Sequence, residues 1–403
     1  MRLRPARSAH DHVVRGLIIP VATSLAFDAS GHDACTGRAM RAAIVSTSRG
    51  TSPGYRKYLV NMLPRLRQSG LLDDVALFTA DVSLRASEPE LDAHAPGGGR
   101  RSLRRAVSEF SPDVVLCPAA RALSPRGTPV VMLVQNMEPM LAPFGAHGPL
   151  EIARSLARRL AIRRSCAISS HIVVPAEHSR QYLVRRWHIP EAEITVVPFG
   201  VEPAPPRSSF TRPEQVPENA PFAFAPVGSV RPARGVGDVV DALAALRERG
   251  TPVRMVIAGG ETAASNGYER ALRERARRTG IDFDVIWTGQ LSAPEMAWCY
   301  GNCDVFVSAT HAEALSMTTL EVLSHGCVVV ASDLACTREV FGPNASYFPV
   351  GDVGALANAI ASASQLDAET RERRRDAMRQ HARAFDWTRS AERTAEVLLH
   401  IKE

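Results

Sequence analysis

The chain has no apolar run long enough to cross a membrane as a helix. The one stretch that approaches it, Gly16 to Ala29, is short and is broken by Pro20 and Asp28. No Cys-x2-Cys spacing occurs among the seven cysteines, Cys35, Cys117, Cys166, Cys299, Cys303, Cys327 and Cys336, so no metal site of that kind is expected. Most of them fall in apolar or helical settings; Cys299 and Cys303, one helical turn apart, read as core thiols. An odd count in such settings points to a reducing compartment. No Gly-x-Gly-x-x-Gly follows the first strand of either half, which argues against a nicotinamide-dependent oxidoreductase. The charge is also small: a net +6 permits acidic ligands or an anionic membrane face and demands neither. No nucleic-acid partner is expected.

What remains is a chain of 403 residues, 45% hydrophobic and 22% charged, in the range of soluble globular proteins and too long for one ordinary core. Residues 1–39 stand apart. Arg2, Arg4, Arg7 and Arg15 followed by Leu17-Ile18-Ile19 faintly resemble a signal peptide, but no convincing cleavage site follows. Met40 leads straight into a strand, so 1–39 is expected to be a disordered extension.

From Met40 onward short apolar runs alternate with helical stretches, the pattern of a parallel α/β sheet. Strands are expected at Ala42–Val45, Val75–Phe78, Val114–Cys117, Val130–Val134 and His171–Val174. The loop from Ser46 to Gly54, rich in Gly, Ser and Thr, delivers a helix from Tyr55 to Gln68 with Leu59, Met62, Leu63 and Leu66 on one face. Pro96-Gly-Gly-Gly-Arg-Arg reads as a basic surface turn. Between Glu151 and Trp187 lie eight arginines and two glutamates, with Ile152, Leu156 and Leu160 in line on the Glu151–Ala167 helix. That helix is open to two readings, a solvated face or a peripheral membrane contact through Arg154–Arg164. Prolines crowd residues 203–221, a linker composition. Beyond it come strands at Phe222–Val227, Met255–Ala258 and Val285–Trp287. Asp282-Phe-Asp284 has a metal-binding look but falls in a turn before a strand, so it is read as a turn.

The most informative stretch runs from Asp304 to Asp333. It reads as a strand, a polar loop carrying Glu313, a helix carrying Glu321 and stopped by Gly326, and a buried strand at Val328–Ala331. In an open parallel sheet, ligands bind beyond the carboxyl ends of the strands, where helix N-termini present free N–H groups. Ala314, Leu315, Ser316, Met317 and Thr318 are therefore expected to cradle an anionic or hydroxyl-rich ligand, with Glu313 at the lip.

This stretch, Glu-Ala-Leu-Ser-Met-Thr-Thr-Leu-Glu-Val-Leu-Ser-His-Gly-Cys-Val-Val-Val, resembles the Glu-x7-Glu signature of retaining nucleotide-sugar glycosyltransferases of the family-four type. The resemblance covers roughly residues 40 to 400 and includes Ile194-Thr-Val-Val-Pro-Phe-Gly-Val-Glu, Gly228-Ser-Val-Arg-Pro-Ala-Arg-Gly and Phe385-Asp386-Trp387. It implies an α/β GT-B fold, two Rossmann-like domains facing a central cleft: 40–202 as the acceptor domain, 222–385 as the donor domain, and 386–403 crossing back to the first. It implies a nucleotide-sugar donor, a glycan or lipid-linked acceptor, no metal and no cofactor. Glu313 would orient the sugar, Glu321 would accept from the ribose, and Arg234 would meet the diphosphate. Gly50 or Gly54 would approach the donor phosphates, Pro53 standing where the family usually has a first glycine. Ser229 occupies the position of a family arginine, Arg231 is a further cation nearby, and Gln290 follows the strand that approaches the nucleobase. Asn136, at a strand end, would lie beside the transferred sugar or simply cap a turn. The family also implies surface-polysaccharide assembly; a cytoplasmic site of action is expected, with contact at the inner membrane face left open through the Arg154–Arg164 helix. A silent descendant that only binds sugar nucleotides, or an epimerase of the same fold, stays open, although no histidine is clearly placed as the general base an epimerase needs.

Overall fold

A computed structural model describes residues 40–118, 121–125, 127–141, 149–218, 220–260 and 267–401; the expectation for residues 1–39 lies outside them. The first half holds strands β1 (Arg41–Ser46), β2 (Asp74–Thr79), β3 (Val114–Cys117), β4 (Val130–Leu133), β5 (His171–Val174) and β6 (Ile194–Val196). Its helices are α1 (Pro53–Gln68), α2 (Val82–Ser87), α3 (Arg100–Phe110), α4 (Glu138–Leu141), α5 (Pro149–Ala167) and α6 (Glu177–Trp187). The second half holds β7 (Ala223–Ser229), β8 (Met255–Gly260), β9 (Val285–Gly289), β10 (Val305–Ser308), β11 (Val329–Ser332) and β12 (Ser346–Phe348). Its helices are α7 (Val236–Glu248), α8 (Tyr268–Arg278), α9 (Ala293–Asn302), α10 (Met317–His325), α11 (Ala335–Phe341), α12 (Val353–Ser364), α13 (Ala368–Ala382) and α14 (Trp387–His400).

Each half is built on a six-stranded parallel sheet, ordered β2-β1-β3-β4-β5-β6 and β12-β11-β10-β7-β8-β9. Strands covered on both faces must be apolar throughout, and β3, β4, β5 and β11 are buried along their whole length. The order reverses between β1 and β3 in the first sheet and between β7 and β10 in the second. At such a reversal the flanking helices diverge to opposite faces and leave a crevice at the strand ends.

The helices start and stop where local chemistry dictates. Ser52 caps α1, its Oγ accepting from the Tyr55 N–H, with Pro53 in the first turn where a missing N–H costs nothing. Gly326 closes α10 at a φ of 69°. The Pro96–Arg101 stretch is not turn alone: Gly99 gives way to the amphipathic helix α3, which buries Leu103 and Val107. The proline-rich 203–221 segment packs onto the second half, with Val216 fully buried and the Phe210 ring 6.0 Å from His325.

Helix α14 returns to the first half and lies along α1. Trp387 anchors it, its ring 6.0 Å from Phe199 and 6.3 Å from Tyr58. The two chain crossings between the halves touch each other there: the Val201 N–H donates to the Phe385 carbonyl at 3.1 Å, and Ser390 Oγ donates to the Pro198 carbonyl. Among the described residues no helix is long and apolar enough to cross a membrane. The six cysteines described are free and buried, as core thiols should be.

Candidate functional site

The carboxyl ends of the two sheets face a cavity of about 820 Å³ lined by both halves. The switch between β7 and β10 places two loops side by side on its wall. After β7 the chain makes a short 3-10 turn at Pro232–Arg234, passes Gly235 and enters α7. Gly235 has a φ of 64°, and a Cβ there would sit 1.8 Å from the Ala309 carbonyl oxygen. The β7–α7 loop can therefore lie against the end of β10 only with glycine at this position.

That apposition brings Arg234 into an ion pair with Glu313 from the loop after β10. The Glu313 charge, aided by Glu138 and opposed by burial, holds the Arg234 guanidinium still more firmly protonated than usual. Its Nε is buried with no hydrogen-bond partner among the described residues. A buried charged donor left without a partner is costly, and the residue that carries it lines the cavity. Glu313 also accepts from the Ala314 N–H at 3.2 Å through Oε1. Arg231 donates through Nε to Ser229 Oγ at 2.8 Å and pairs with Glu138 of α4 in the first half.

Beyond Glu313, Ser316 stands at the N-cap position of α10 with no side-chain capping bond, and the first turn, Met317 and Thr318, lines the cavity. Ala314, expected in the cradle, gives its N–H to Glu313 and buries its methyl group. It is 2% exposed with its side chain in the apolar core of the first half's sheet, because the loop must turn inward to seat the helix. Leu315 is buried too but still reaches the cavity wall. Glu321, further along α10, is held between Lys57 of α1 and the Tyr300 hydroxyl, which donates to it at 2.9 Å. Burial first, and the Glu321 charge second, push the Tyr300 hydroxyl far above its ordinary range, so it stays a donor.

Across the cavity, Gly50 and Gly54 lie on the wall beside the N-terminus of α1. A Cβ on Gly54 would be 3.9 Å from Met317 Cγ, so the N-termini of α1 and α10 face each other and both direct positive dipole ends inward. Gln290 lines the cavity and donates through Nε2 to the Gly228 carbonyl at 2.6 Å. Asn136 also lines it, and its Oδ1 accepts from the Glu138 N–H at 3.0 Å, the turn-capping contact. Asp284 pairs with Arg247 at 2.7 Å in the turn before β9, at the opposite end of the strands from the cavity. Among the described residues no group of three or more His, Cys, Asp or Glu is placed to hold a metal ion.

The structure adds Lys57, Glu138, Tyr300, His178 and Glu339, which sequence reasoning did not single out for the site. Lys57 carried the one visible signal, since it and Lys402 are the only lysines in an arginine-rich chain.

Residues 54–204 match the family model Glycosyltransferase Family 4, and residues 208–383 match Glycosyl transferases group 1. The chain is 28% identical over 213 residues to a glycogen synthase of Mycobacterium tuberculosis, covering 52% of this chain and 49% of that one. It is 26% identical over 217 residues to an alpha-monoglucosyldiacylglycerol synthase of Streptococcus pneumoniae, covering 49% and 46%. It thus spans about half the length of the curated relatives it matches. Among solved structures, Anabaena HepE in complex with UDP-glucose superposes with a TM-score of 0.68 at 15% identity, covering 90% of this chain and 100% of that one. The two facing parallel sheets, the returning helix and the matches to both halves agree: this chain belongs to the group 1 glycosyltransferases of the GT-B fold.

Proposed function

We propose that the protein is a retaining glycosyltransferase that moves a sugar from a nucleotide-sugar donor to a glycan or lipid-linked acceptor, without a metal ion. The observation that carries this reading is Arg234 at the β7/β10 switch point, paired with Glu313 and keeping an orphaned Nε–H beside the N-terminus of α10. As a glycosidic bond to diphosphate breaks, negative charge grows on the phosphate oxygens, and a preorganised guanidinium and helix N-terminus meet that charge without reorganisation. Glu313, released from Arg234, orients the sugar hydroxyls and faces the electron-poor ring. Glu321 accepts from the ribose. The donor phosphate itself takes the proton of the acceptor hydroxyl, so no separate base is needed.

The UDP-glucose held by the Anabaena structure makes UDP-sugars the first donors to try. The glucosylated diacylglycerol in the name of the streptococcal relative supports a lipid-linked acceptor here. Helix α5 fits that reading, with Leu156 and Leu160 49% and 58% exposed among its arginines, an arrangement suited to the cytoplasmic face of an anionic membrane. Surface-polysaccharide assembly is the setting we favour. Ser229, in place of a family arginine, favours the alternative of a silent descendant.

Nucleoside diphosphate release from UDP-, GDP- and ADP-sugars, with and without EDTA, separates these readings. EDTA-resistant release from one donor, lost in Glu313→Ala and Arg234→Ala, is the expected result. Donor binding without turnover, with acceptors supplied, supports the silent descendant; no binding of any donor overturns the site.

A further inference from the structure

Among the polar contacts that join the halves around the cavity are Lys57 with Glu321, Glu138 with Arg231, and Glu339 with the start of α6. The first two occupy groups that a nucleotide-sugar would claim, because Glu321 faces the ribose and Arg231 lies beside the diphosphate position. The third occupies none, so it survives donor binding.

Its geometry is specific. Helix α6 begins at Glu177 after Ala176, which offers no capping side chain. The cap comes from the other half: the Glu339 carboxylate of α11 accepts from the Glu177 N–H at 2.6 Å and the His178 N–H at 3.2 Å. The same carboxylate lies 3.4 Å from His178 Nδ1, and His178 Nε2 lies 3.2 Å from the Glu313 carbonyl oxygen and 3.3 Å from Ser179 Oγ. The His178 side chain is only 11% exposed, so these contacts are sheltered from water. Carboxylate and carbonyl are both acceptors, and only a ring carrying protons on both nitrogens satisfies the two together. A neutral ring that donates to Glu339 through Nδ1 can accept from the Ser179 hydroxyl at Nε2 but gives up the Glu313 carbonyl, and one that donates to that carbonyl leaves a bare Nδ1 facing the carboxylate.

We propose that His178 and Glu339 are a positioning pair that fixes the Glu313 backbone from the opposite half of the molecule. This rests on the transferase reading. In the free enzyme the Glu313 side chain is held by Arg234; once the guanidinium turns to the diphosphate, that restraint weakens at the moment the carboxylate must face the sugar. The grip of His178 on the Glu313 carbonyl is then the tether that remains, and Glu339 holds both the ring and the helix that carries it. An error of about an ångström in a group facing the reacting centre costs on the order of a hundredfold in rate, which is why such a tether matters.

The test compares the full chain with His178→Ala, Glu339→Gln and the double variant, measuring kcat and KM for donor turnover and donor Kd by calorimetry. Each single variant is expected to lose about tenfold to a hundredfold in kcat, the worth of one charge-assisted hydrogen bond, with donor Kd unchanged within about threefold. Because the two act as a unit, the double variant should be no worse than the poorer single. Should His178→Ala melt early, His178→Gln, which keeps one donor, is expected to give an intermediate kcat at wild-type melting temperature. Retained kcat in both singles, losses that multiply in the double, or a loss confined to donor Kd would overturn the inference while leaving the transferase reading intact. A wild-type chain that releases diphosphate from no donor overturns both.

Discussion

Replacing Gly235 by alanine tests whether the site is held by backbone apposition at the switch point. Two costs are separable. The residue has a φ of 64°, where an L-side chain costs roughly 1–2 kcal/mol, offset by about 0.4–1 kcal/mol from a stiffer unfolded chain. The new Cβ would also stand 1.8 Å from the Ala309 oxygen and 2.7 Å from its carbonyl carbon, and that backbone leaves β10 directly beneath the Glu313 loop. It cannot rotate away as a flexible side chain would, so overpacking adds about 1–3 kcal/mol. The sum, about 1–5 kcal/mol, is a large share of a typical domain's stability of about 5–15 kcal/mol. Gly250→Ala is the internal control: it has a φ of 71° and nothing within 4 Å, so it carries the first cost alone. Urea denaturation of both variants gives the difference directly. Donor calorimetry on Gly235→Ala should show weakened binding, because Arg231 and Arg234 ride on the displaced loop. If Gly235→Ala falls within about 0.5 kcal/mol of Gly250→Ala, the steric argument is wrong.

Trp387, 2% exposed, should cost about 3–5 kcal/mol when cut to alanine, read by urea denaturation. Trp387→Phe should cost far less, since the indole Nε1 has no hydrogen-bond partner to lose among the described residues. His311 Nε2 lies 2.7 Å from Asp238, and that hydrogen bond raises its pKa above the usual 6.5 against the opposing effect of burial. The folded state therefore binds this proton more tightly than the unfolded one. The stabilisation is complete below pH 6.5 and fades as pH climbs through the raised value. The stability gap between wild type and Asp238→Asn, measured by denaturation across that range, should shrink as pH rises; a constant gap would contradict the assignment.

Much of the architecture was legible because it rests on local patterns. Val328–Ala331 is apolar throughout since β11 is covered on both faces, and Gly326 stops α10 where only glycine closes the turn cheaply. Glu313 and Glu321 were visible for the same reason, as polar residues at a strand end and on a helix whose frame the apolar residues define. Ala314 shows the limit: its neighbours reach the cavity, but backbone direction sends its methyl group into the core. Pairings across the cavity leave no periodic trace. Lys57 and Glu321 are 264 positions apart, and Glu339 meets the start of α6 from 162 positions away. Such contacts depend on how two sheets face each other, and no local spacing encodes that.

The double crossing between the halves has a mechanical consequence. The chain leaves the first half near Val201 and returns near Phe385, and those two passages are hydrogen-bonded side by side. Two parallel tethers act as the pins of a door. Held together, they constrain the relative movement of the halves more than a single linker would, and so keep residues on the facing lips of the cavity in one register. They also make the assembly tolerant of a cut: a nick at 203–221 severs one pin and leaves the other, with Trp387 still seated against Phe199 and Tyr58.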